Sequence, residues 1–93
     1  MALFITRVEL HDASDRDYEA LHTAMAGKGF ARTISDDSGL RYRLPTAEYS
    51  RTASVSIAQI LADAKAAAQT TGRRHSVLVS ECARCAWDNL PRA

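Results

Sequence analysis

The chain has 93 residues, of which 46% are hydrophobic and 25% are charged, and its net charge is +1. This length suits a single globular domain over residues 1–93 with one core. A charge so near zero argues against a protein that coats nucleic acid by neutralising many phosphates, and we expect no DNA partner. No stretch reaches the roughly 18 apolar residues of a membrane span, and the start of the chain does not resemble a signal peptide. We therefore predict a cytoplasmic protein with no membrane partner.

The N-terminal part of the chain predicts a strand followed by a helix. Apolar side chains alternate over residues 2–10, with Phe4 and Val8 on the face that we expect to enter the core. Ser14 and Asp17 have the spacing of a capping box at a helix start, although Asp stands where Glu or Gln is usual. The predicted inward stripe of this helix comprises Tyr18, Leu21, His22 and Met25.

A short hairpin is predicted next. Residues 30–35 return as a strand, and the Asp-Asp-Ser-Gly run at 36–39 is a turn signal. Apolar and aromatic residues then alternate with Arg41 and Arg43 until Pro45 stops the ladder.

The second half of the chain repeats the pattern of strand, helix and strand. A strand over residues 47–53 is followed by Ser56 and Gln59, whose residue types form a better capping box than the first. The helix is rich in alanine, so we expect it to lie close to the sheet, and a strand over residues 75–81 follows it. Its predicted inward residues are Ile57, Ile60, Leu61, Ala64 and Ala68.

This order of elements predicts an α+β fold, a ferredoxin-like βαββαβ sandwich. Two right-handed strand-helix-strand units would interleave into a four-stranded antiparallel sheet with both helices on one face. The predicted order across the sheet is fourth, first, third and second strand. The other face of the sheet would be open, with Leu3 and Ile5 on it.

Arginine and tyrosine side chains cluster around the predicted hairpin. The set is Arg32, Arg41, Arg43, Arg51, Tyr42 and Tyr49. Guanidinium groups bind phosphates and aromatic faces stack on unpaired bases, so single-stranded RNA is the ligand that fits this chemistry. Arg41, Arg43 and Arg51 are the predicted phosphate contacts. Tyr49 is the better stacking candidate, because Tyr42 shares a strand face with two leucines. The alternative is a solvated strand face whose arginines prevent edge-to-edge pairing.

A second candidate site lies where the first strand ends. Glu9, His11 and Asp12 place two carboxylates and an imidazole close together in sequence. Such groups can bind a divalent cation or position a water, which is the minimum for phosphodiester chemistry, so these three are the predicted catalytic residues. In the alternative interpretation, Asp12 caps a turn and His11 is simply exposed.

Two cysteines, Cys82 and Cys85, follow the last predicted strand. A single Cys-x-x-Cys is half of a tetrahedral zinc site, which would need two further ligands from His11, His22, His75 or a second subunit. A redox pair would be expected to open a helix after an early strand, and this pair does not. The favoured interpretation is two reduced cysteines with no shared role.

Several core and turn positions carry a family resemblance. They are the run Tyr18-x-x-Leu21-x-x-x-Met25-x-x-x-Gly29-Phe30, Leu44-Pro45 before the strand with Tyr49, and the alanine-rich helix within residues 54–68. In these features the chain resembles the GhoS family, small ferredoxin-like antitoxins of type V toxin-antitoxin systems. The resemblance implies an endoribonuclease that cleaves the messenger RNA of a small membrane toxin. It also implies a fold similar to the small CRISPR-associated nucleases, whose acidic residue at the end of the first strand is matched by Glu9 or Asp12.

The functional expectation is therefore a GhoS-like endoribonuclease acting on single-stranded RNA, assisted by a divalent cation or by arginines. The alternative is a non-catalytic ferredoxin-like interaction module. Leu3 and Ile5 on the open sheet face favour that alternative, because clustered apolar side chains on an uncovered sheet often mark an interface with a protein partner or a second copy in a homodimer.

Overall fold

The chain forms five strands and two helices, with three consecutive strands between the helices. A computed structural model describes all residues, 1–93. The elements are β1 (Ala2–Leu10), α1 (Asp15–Gly27), β2 (Thr33–Ser35), β3 (Arg41–Arg43), β4 (Glu48–Ala53), α2 (Ile57–Gln69) and β5 (His75–Cys82). These bounds confirm the α+β class, and they contain five strands where the ferredoxin-like βαββαβ order has four. Neither helix has the length and apolar character needed to cross a membrane.

The main sheet has three antiparallel strands in the order β4-β1-β5, with β1 at the centre. The predicted placement of the first strand between the third and the last is therefore confirmed. A continuous fourth strand is not present. Ala31 forms an isolated bridge with Ser50 on the outer edge of β4, and the chain then turns away to build a separate two-stranded sheet from β2 and β3.

Helix α1 begins and ends with complete capping motifs. The Ser14 side chain accepts a hydrogen bond from the Asp17 backbone, and the Asp17 carboxylate accepts one from the Ser14 backbone, so the capping box forms with aspartate in the usual glutamate position. At the other end, the Phe30 N–H bonds to the Met25 carbonyl across Gly29, whose φ is +86°. This is the Schellman arrangement, in which glycine adopts the left-handed conformation.

Helix α2 differs from the sequence expectation in two respects. The Ser56 side chain caps the helix, but the Gln59 side chain bonds to Asp63 instead of returning to the cap, so the better capping box is the first one. The predicted inward residues Ile57 and Leu61 are exposed. The buried stripe, centred nearer the alanines, is Ile60, Ala64, Ala67 and Ala68. Small side chains on that stripe let the helix approach the sheet closely.

Both helices pack on the same face of the main sheet. Leu21 and Met25 of α1 share one buried cluster with the α2 stripe and with Phe4, Val8 and Tyr49 of the sheet. The sheet face that enters this core carries the even-numbered positions of β1, as the alternation predicts. Leu3 and Ile5 lie on the opposite face and are half-buried.

The opposite sheet face is partly covered by the hairpin and the C-terminal tail, residues 83–93. The Arg43 N–H donates to the Pro91 carbonyl at 2.8 Å, and the Ala93 N–H donates to the Arg41 carbonyl at 3.0 Å. The Tyr42 ring packs on Trp87 with centroids 5.5 Å apart. The tail therefore fixes the hairpin from its outer edge.

Candidate functional site

The end of β1 carries a group of polar side chains centred on His11. Its Nε2 lies 3.1 Å from Oγ of Ser76 and 3.8 Å from Oε1 of Glu9. Glu9 and Ser76 are directly opposite each other in the β1–β5 ladder, and the backbone N–H of His11 continues that ladder by donating to the Arg74 carbonyl at 2.8 Å. Register between the first and last strands therefore holds the imidazole in place.

The same end of the sheet brings two further cationic side chains beside this imidazole. Arg74 lies 3.9 Å from the Asp12 carboxylate, and both side chains are almost fully exposed, so this pair contributes little to stability. Asp12 itself has a φ of +53°, the left-handed conformation of a turn residue, as the turn interpretation expected. Arg73 is held more firmly, because its Nε donates to Asp17 at 2.9 Å.

His75 belongs to the same region and was not among the predicted catalytic residues. Its Nδ1 lies 3.0 Å from the Arg73 carbonyl. A carbonyl oxygen only accepts, so Nδ1 carries the proton, and in the neutral ring Nε2 keeps a free lone pair. His75 pairs with Leu10, whose side chain enters the core, whereas His11 contacts Ser76 on the opposite face of the sheet. The two imidazoles therefore lie at the same end of the sheet but on different faces. Only the pairing of β1 with β5 brings both to this end, and no local sequence signal marks it.

The residues at this site do not form a metal centre. Nowhere in the structure do three side chains of the His, Cys, Asp or Glu type converge as ligands. Glu9 is directed toward His11, and Asp12 toward Arg74. A divalent cation prefers a set of oxygen ligands around one point, which this arrangement does not supply. The geometry instead offers imidazole acid–base groups beside guanidinium charge.

The predicted RNA contacts fall into two groups. Arg41 and Arg43 are exposed on β3, and Arg41 Nη2 donates to Thr33 Oγ1 at 3.2 Å. Arg51 lies on the helix-covered side, where its guanidinium bonds to Asp63 at 2.7 Å and packs 5.4 Å from the Phe30 ring centroid. Its charge is thus already paired with a carboxylate within the fold.

Tyr49 is also in the wrong place for its predicted role. Its side chain is fully buried at the centre of the core, so its ring has no free face for a base. Its hydroxyl lies 2.6 Å from Nδ1 of His22, which was predicted to lie on the inward stripe of the first helix. Burial raises the pKa of Tyr49 to about 12 and lowers that of His22.

A cavity of about 670 Å³ lies between the sheet, the hairpin and the tail. Its apolar and aromatic walls include Leu3, Ile34, Tyr42 and Trp87. Both cysteines line it as free thiols, and burial raises the pKa of Cys85. Tyr42 and Trp87, which are half-buried, are the aromatic side chains next to the exposed arginines. No role was predicted for Trp87 from the sequence.

The cavity and the imidazole group lie at opposite ends of the sheet. Leu3 borders the cavity, whereas His11 follows the other end of β1. At about 3.3 Å per strand residue, these ends are roughly 25 Å apart. The structure therefore does not join the predicted catalytic and RNA-binding residues into one compact pocket. The chain matches no protein-family model, and no curated protein matches it. The candidate site therefore rests on the geometry of this structure alone.

Proposed function

We propose that this protein is a cytoplasmic endoribonuclease that acts on single-stranded RNA, as the GhoS family that it resembles does, and that it cleaves without a resident metal. One observation carries the proposal. His11 is held by Ser76 and Glu9 at the strand end that also presents the exposed Arg74. An acid–base group with positive charge nearby can serve the cleavage of an RNA phosphodiester.

The reaction that these groups fit uses the RNA's own 2′-hydroxyl as nucleophile. The His11 imidazole removes the 2′ proton while the oxygen attacks the adjacent phosphorus, and the bond from phosphorus to the 5′ oxygen breaks. A water molecule gives a proton to that leaving oxygen, and the resulting hydroxide takes the proton held by His11. The products are a 2′,3′-cyclic phosphate and a 5′-hydroxyl. Arg74 would stabilise the negative charge that builds on the phosphoryl oxygens.

The exposed arginines of β3 support a path for the RNA strand. Arg41 and Arg43 lie beside the aromatic pair Tyr42 and Trp87, which offers partly accessible rings next to phosphate-binding charge. An RNA strand that contacts both the hairpin and the His11 end of the sheet would cross the open sheet face. That face bears the exposed Arg7. Separate binding and cleavage regions suit a long flexible substrate, and messenger RNA fits that description.

We also propose that the fold is a ferredoxin-like βαββαβ variant in which the fourth strand is displaced. The bridge between Ala31 and Ser50 supports this, since it lies where that strand would pair with β4. Two reciprocal backbone hydrogen bonds of 2.8 Å form there before the chain leaves for the hairpin.

The proposal is tested by incubating the purified protein with labelled single-stranded RNA in the presence of a chelator. Cleavage should persist, and the new 3′ ends should carry cyclic phosphate. His11→Gln should slow the reaction by roughly 10² to 10⁴-fold, the usual contribution of a general acid or base, and His75→Gln on the other sheet face should slow it less. His22→Gln is the matched control, because that histidine lies in the core next to Tyr49. Asp12→Asn removes the carboxylate charge and should leave the chelator-resistant cleavage in place.

A protein that cleaves no RNA, or that cleaves only with added magnesium, contradicts this proposal. Full activity of His11→Gln would remove its imidazole from the reaction.

The second candidate function is a non-catalytic interaction module. The cavity between sheet and tail favours it, because its apolar floor includes Leu3 while Asp36 and Arg84 offer polar contacts at its sides. An interface between proteins commonly combines such an apolar centre with a polar rim. In this case Leu3→Ser with Ile5→Ser would abolish partner binding, and the wild type would cleave no RNA.

A further inference from the structure

The outer edge of β5 is an unpaired strand edge. β5 borders only β1 in the sheet, with α2 packed on its inner face. The His11 N–H bonds to the Arg74 carbonyl, and antiparallel ladders alternate, so every second residue from 74 onward bonds toward β1. The residues between them direct their N–H and C=O groups outward, away from β1. They are His75, Val77, Val79 and Glu81.

This edge lacks the features that normally prevent pairing with another chain. Residues 75–82 contain no proline and no lysine, and their one carboxylate, Glu81, lies near the end. Leu78, at the middle of the strand, is 65% exposed. The opposite edge of the sheet differs, because Ala31 occupies the outer side of β4 there.

The sequence of the edge is symmetric about Leu78. Residues 76–80 read Ser-Val-Leu-Val-Ser in either direction, and His75 and Glu81 flank them. We propose that a second copy of this chain binds here, with the two β5 strands antiparallel about a two-fold axis at Leu78. Serine then faces serine, valine faces valine, and His75 of each copy faces the carboxylate of Glu81 in the other. Opposite residues of this kind favour antiparallel pairing.

The hydrogen-bonding phase agrees with this register. Pairing about Leu78 sets Val77 against Val79, and His75 against Glu81. All four of these residues have outward backbone groups, so each pair exchanges both of its hydrogen bonds. If the register shifted by one residue, residues with outward backbone groups would face residues whose groups point toward β1. Some of the hydrogen bonds between the two copies would then be lost. The two Leu78 residues form the central pair that exchanges no hydrogen bonds, where side chains are closest.

Helix α2 adds apolar surface beside the same edge. Asp63 lies on the α2 flank that faces β4, where it binds Arg51. At about 100° per residue, Ile57 and Leu61 lie on the other flank, which overhangs β5. Their exposed fractions of 43% and 37% make them two of the few large apolar side chains left in water. In the two-fold pair, the same flank of the second helix approaches them. The pairing occupies the β5 edge of each copy, so no such edge remains for a third copy.

Sedimentation of the full chain over a range of concentrations tests whether the pair forms. The wild type should sediment as a dimer. Leu78→Arg sets two like charges opposite each other at the axis and should shift the protein to monomer, with unchanged circular dichroism. Thr52→Arg is the matched control, because it adds the same charge to the same sheet face at the other edge and should leave the dimer intact.

Cysteine cross-linking tests the register directly. In a Cys82→Ser/Cys85→Ser background, Leu78→Cys should give a disulfide-linked dimer on mild oxidation, because Cα atoms of such a central pair lie about 4.5 Å apart, within disulfide range. Ser80→Cys faces Ser76 in this register and should stay monomeric on a denaturing gel. A wild type that sediments as a monomer at millimolar concentration overturns the proposal, as does cross-linking of Ser80→Cys in preference to Leu78→Cys.

Discussion

The hydroxyl of Tyr49 lies 2.6 Å from Nδ1 of His22, so that β4 and α1 are joined by a hydrogen bond at the margin of the core. Their rings meet at an angle of 56°, and Phe30 packs on the other side of the tyrosine. Burial raises the pKa of Tyr49 to about 12, so the phenol keeps its proton and can donate to the neutral imidazole. Protonation of His22 would remove that acceptor.

Stability should therefore fall in mildly acidic solution. Burial is the main cause that lowers the folded-state pKa of His22 below its ordinary 6.5, with repulsion from Arg32 second. The unfolded chain then binds the proton more readily, so the free energy of unfolding decreases as the pH drops from 6.5 toward the folded-state pKa. In denaturant titrations, His22→Gln should flatten this part of the pH profile. An equally steep profile in the variant would assign the effect to another group.

Thr6 offers a site where stability can be increased. Its side-chain oxygen is buried and has no hydrogen-bond partner. Thr6→Val keeps the branched shape and removes that hydroxyl, whose burial without a partner costs about 1 to 3 kcal/mol. The variant should unfold at higher denaturant concentration with the same m-value. Unchanged or lower stability would indicate that the hydroxyl is satisfied in solution.

The ion pair between Arg51 and Asp63 should contribute to stability above pH 4. The hydrogen bond from Arg51 is the main cause that lowers the pKa of the Asp63 carboxyl below its ordinary value of 3.8. Its contribution is present above that value and is lost as the pH falls through the folded-state pKa. Asp63→Asn should lower the free energy of unfolding by about 1 kcal/mol at neutral pH, since the pair is mostly shielded from water. The loss should disappear in strong acid.

RNA binding, if it uses the hairpin, should depend on Arg41 and Arg43. Replacing both with alanine should weaken binding of unpaired RNA and reduce the slope of log affinity against log salt by about 0.7 for each lost phosphate contact. Arg51→Ala is the comparison, because that guanidinium already pairs with Asp63, and its salt slope should match the wild type. Fluorescence anisotropy at several salt concentrations measures both. Equal slopes for all three proteins would place the RNA elsewhere.

Local pattern was enough to predict most of the elements. The alternation in residues 2–10 predicted both the extent of β1 and its core face, and Phe4 and Val8 are buried as expected. The spacing of Ser14 and Asp17 predicted the start of α1, because a cap depends only on neighbours within one turn. These features involve residues close together in the chain, where sequence is most informative.

Features that depend on pairing between distant segments were harder to predict. An alternating pattern does not tell which face of a strand enters the core, and Tyr49 and Arg51 share the inward face of β4 because Tyr49 pairs with Thr6. The sequence places both Tyr42 and Tyr49 near arginines, but only Tyr42 borders the exposed arginines in the structure. His11 and Ser76 are 65 positions apart, so their hydrogen bond becomes visible only once β1 and β5 are aligned.

The missing fourth strand has a similar origin. Residues 30–35 carry a strand pattern, but only Ala31 pairs with β4, while Thr33 to Ser35 pair with β3. The tail supplies a further partner for β3 through Pro91 and Ala93. Residues 30–35 can thus pair with β4 or with β3. Their pairing with β3 depends on the hairpin and the tail together.

The pairing of β1 with β5 also bears on folding. The ladder joins two segments that are far apart in sequence, with both helices and three strands between them. Closing so long a loop costs entropy before the ladder repays it, which slows folding relative to a helical protein of the same length. Until β5 pairs, the backbone groups on that side of β1 remain open to other strands.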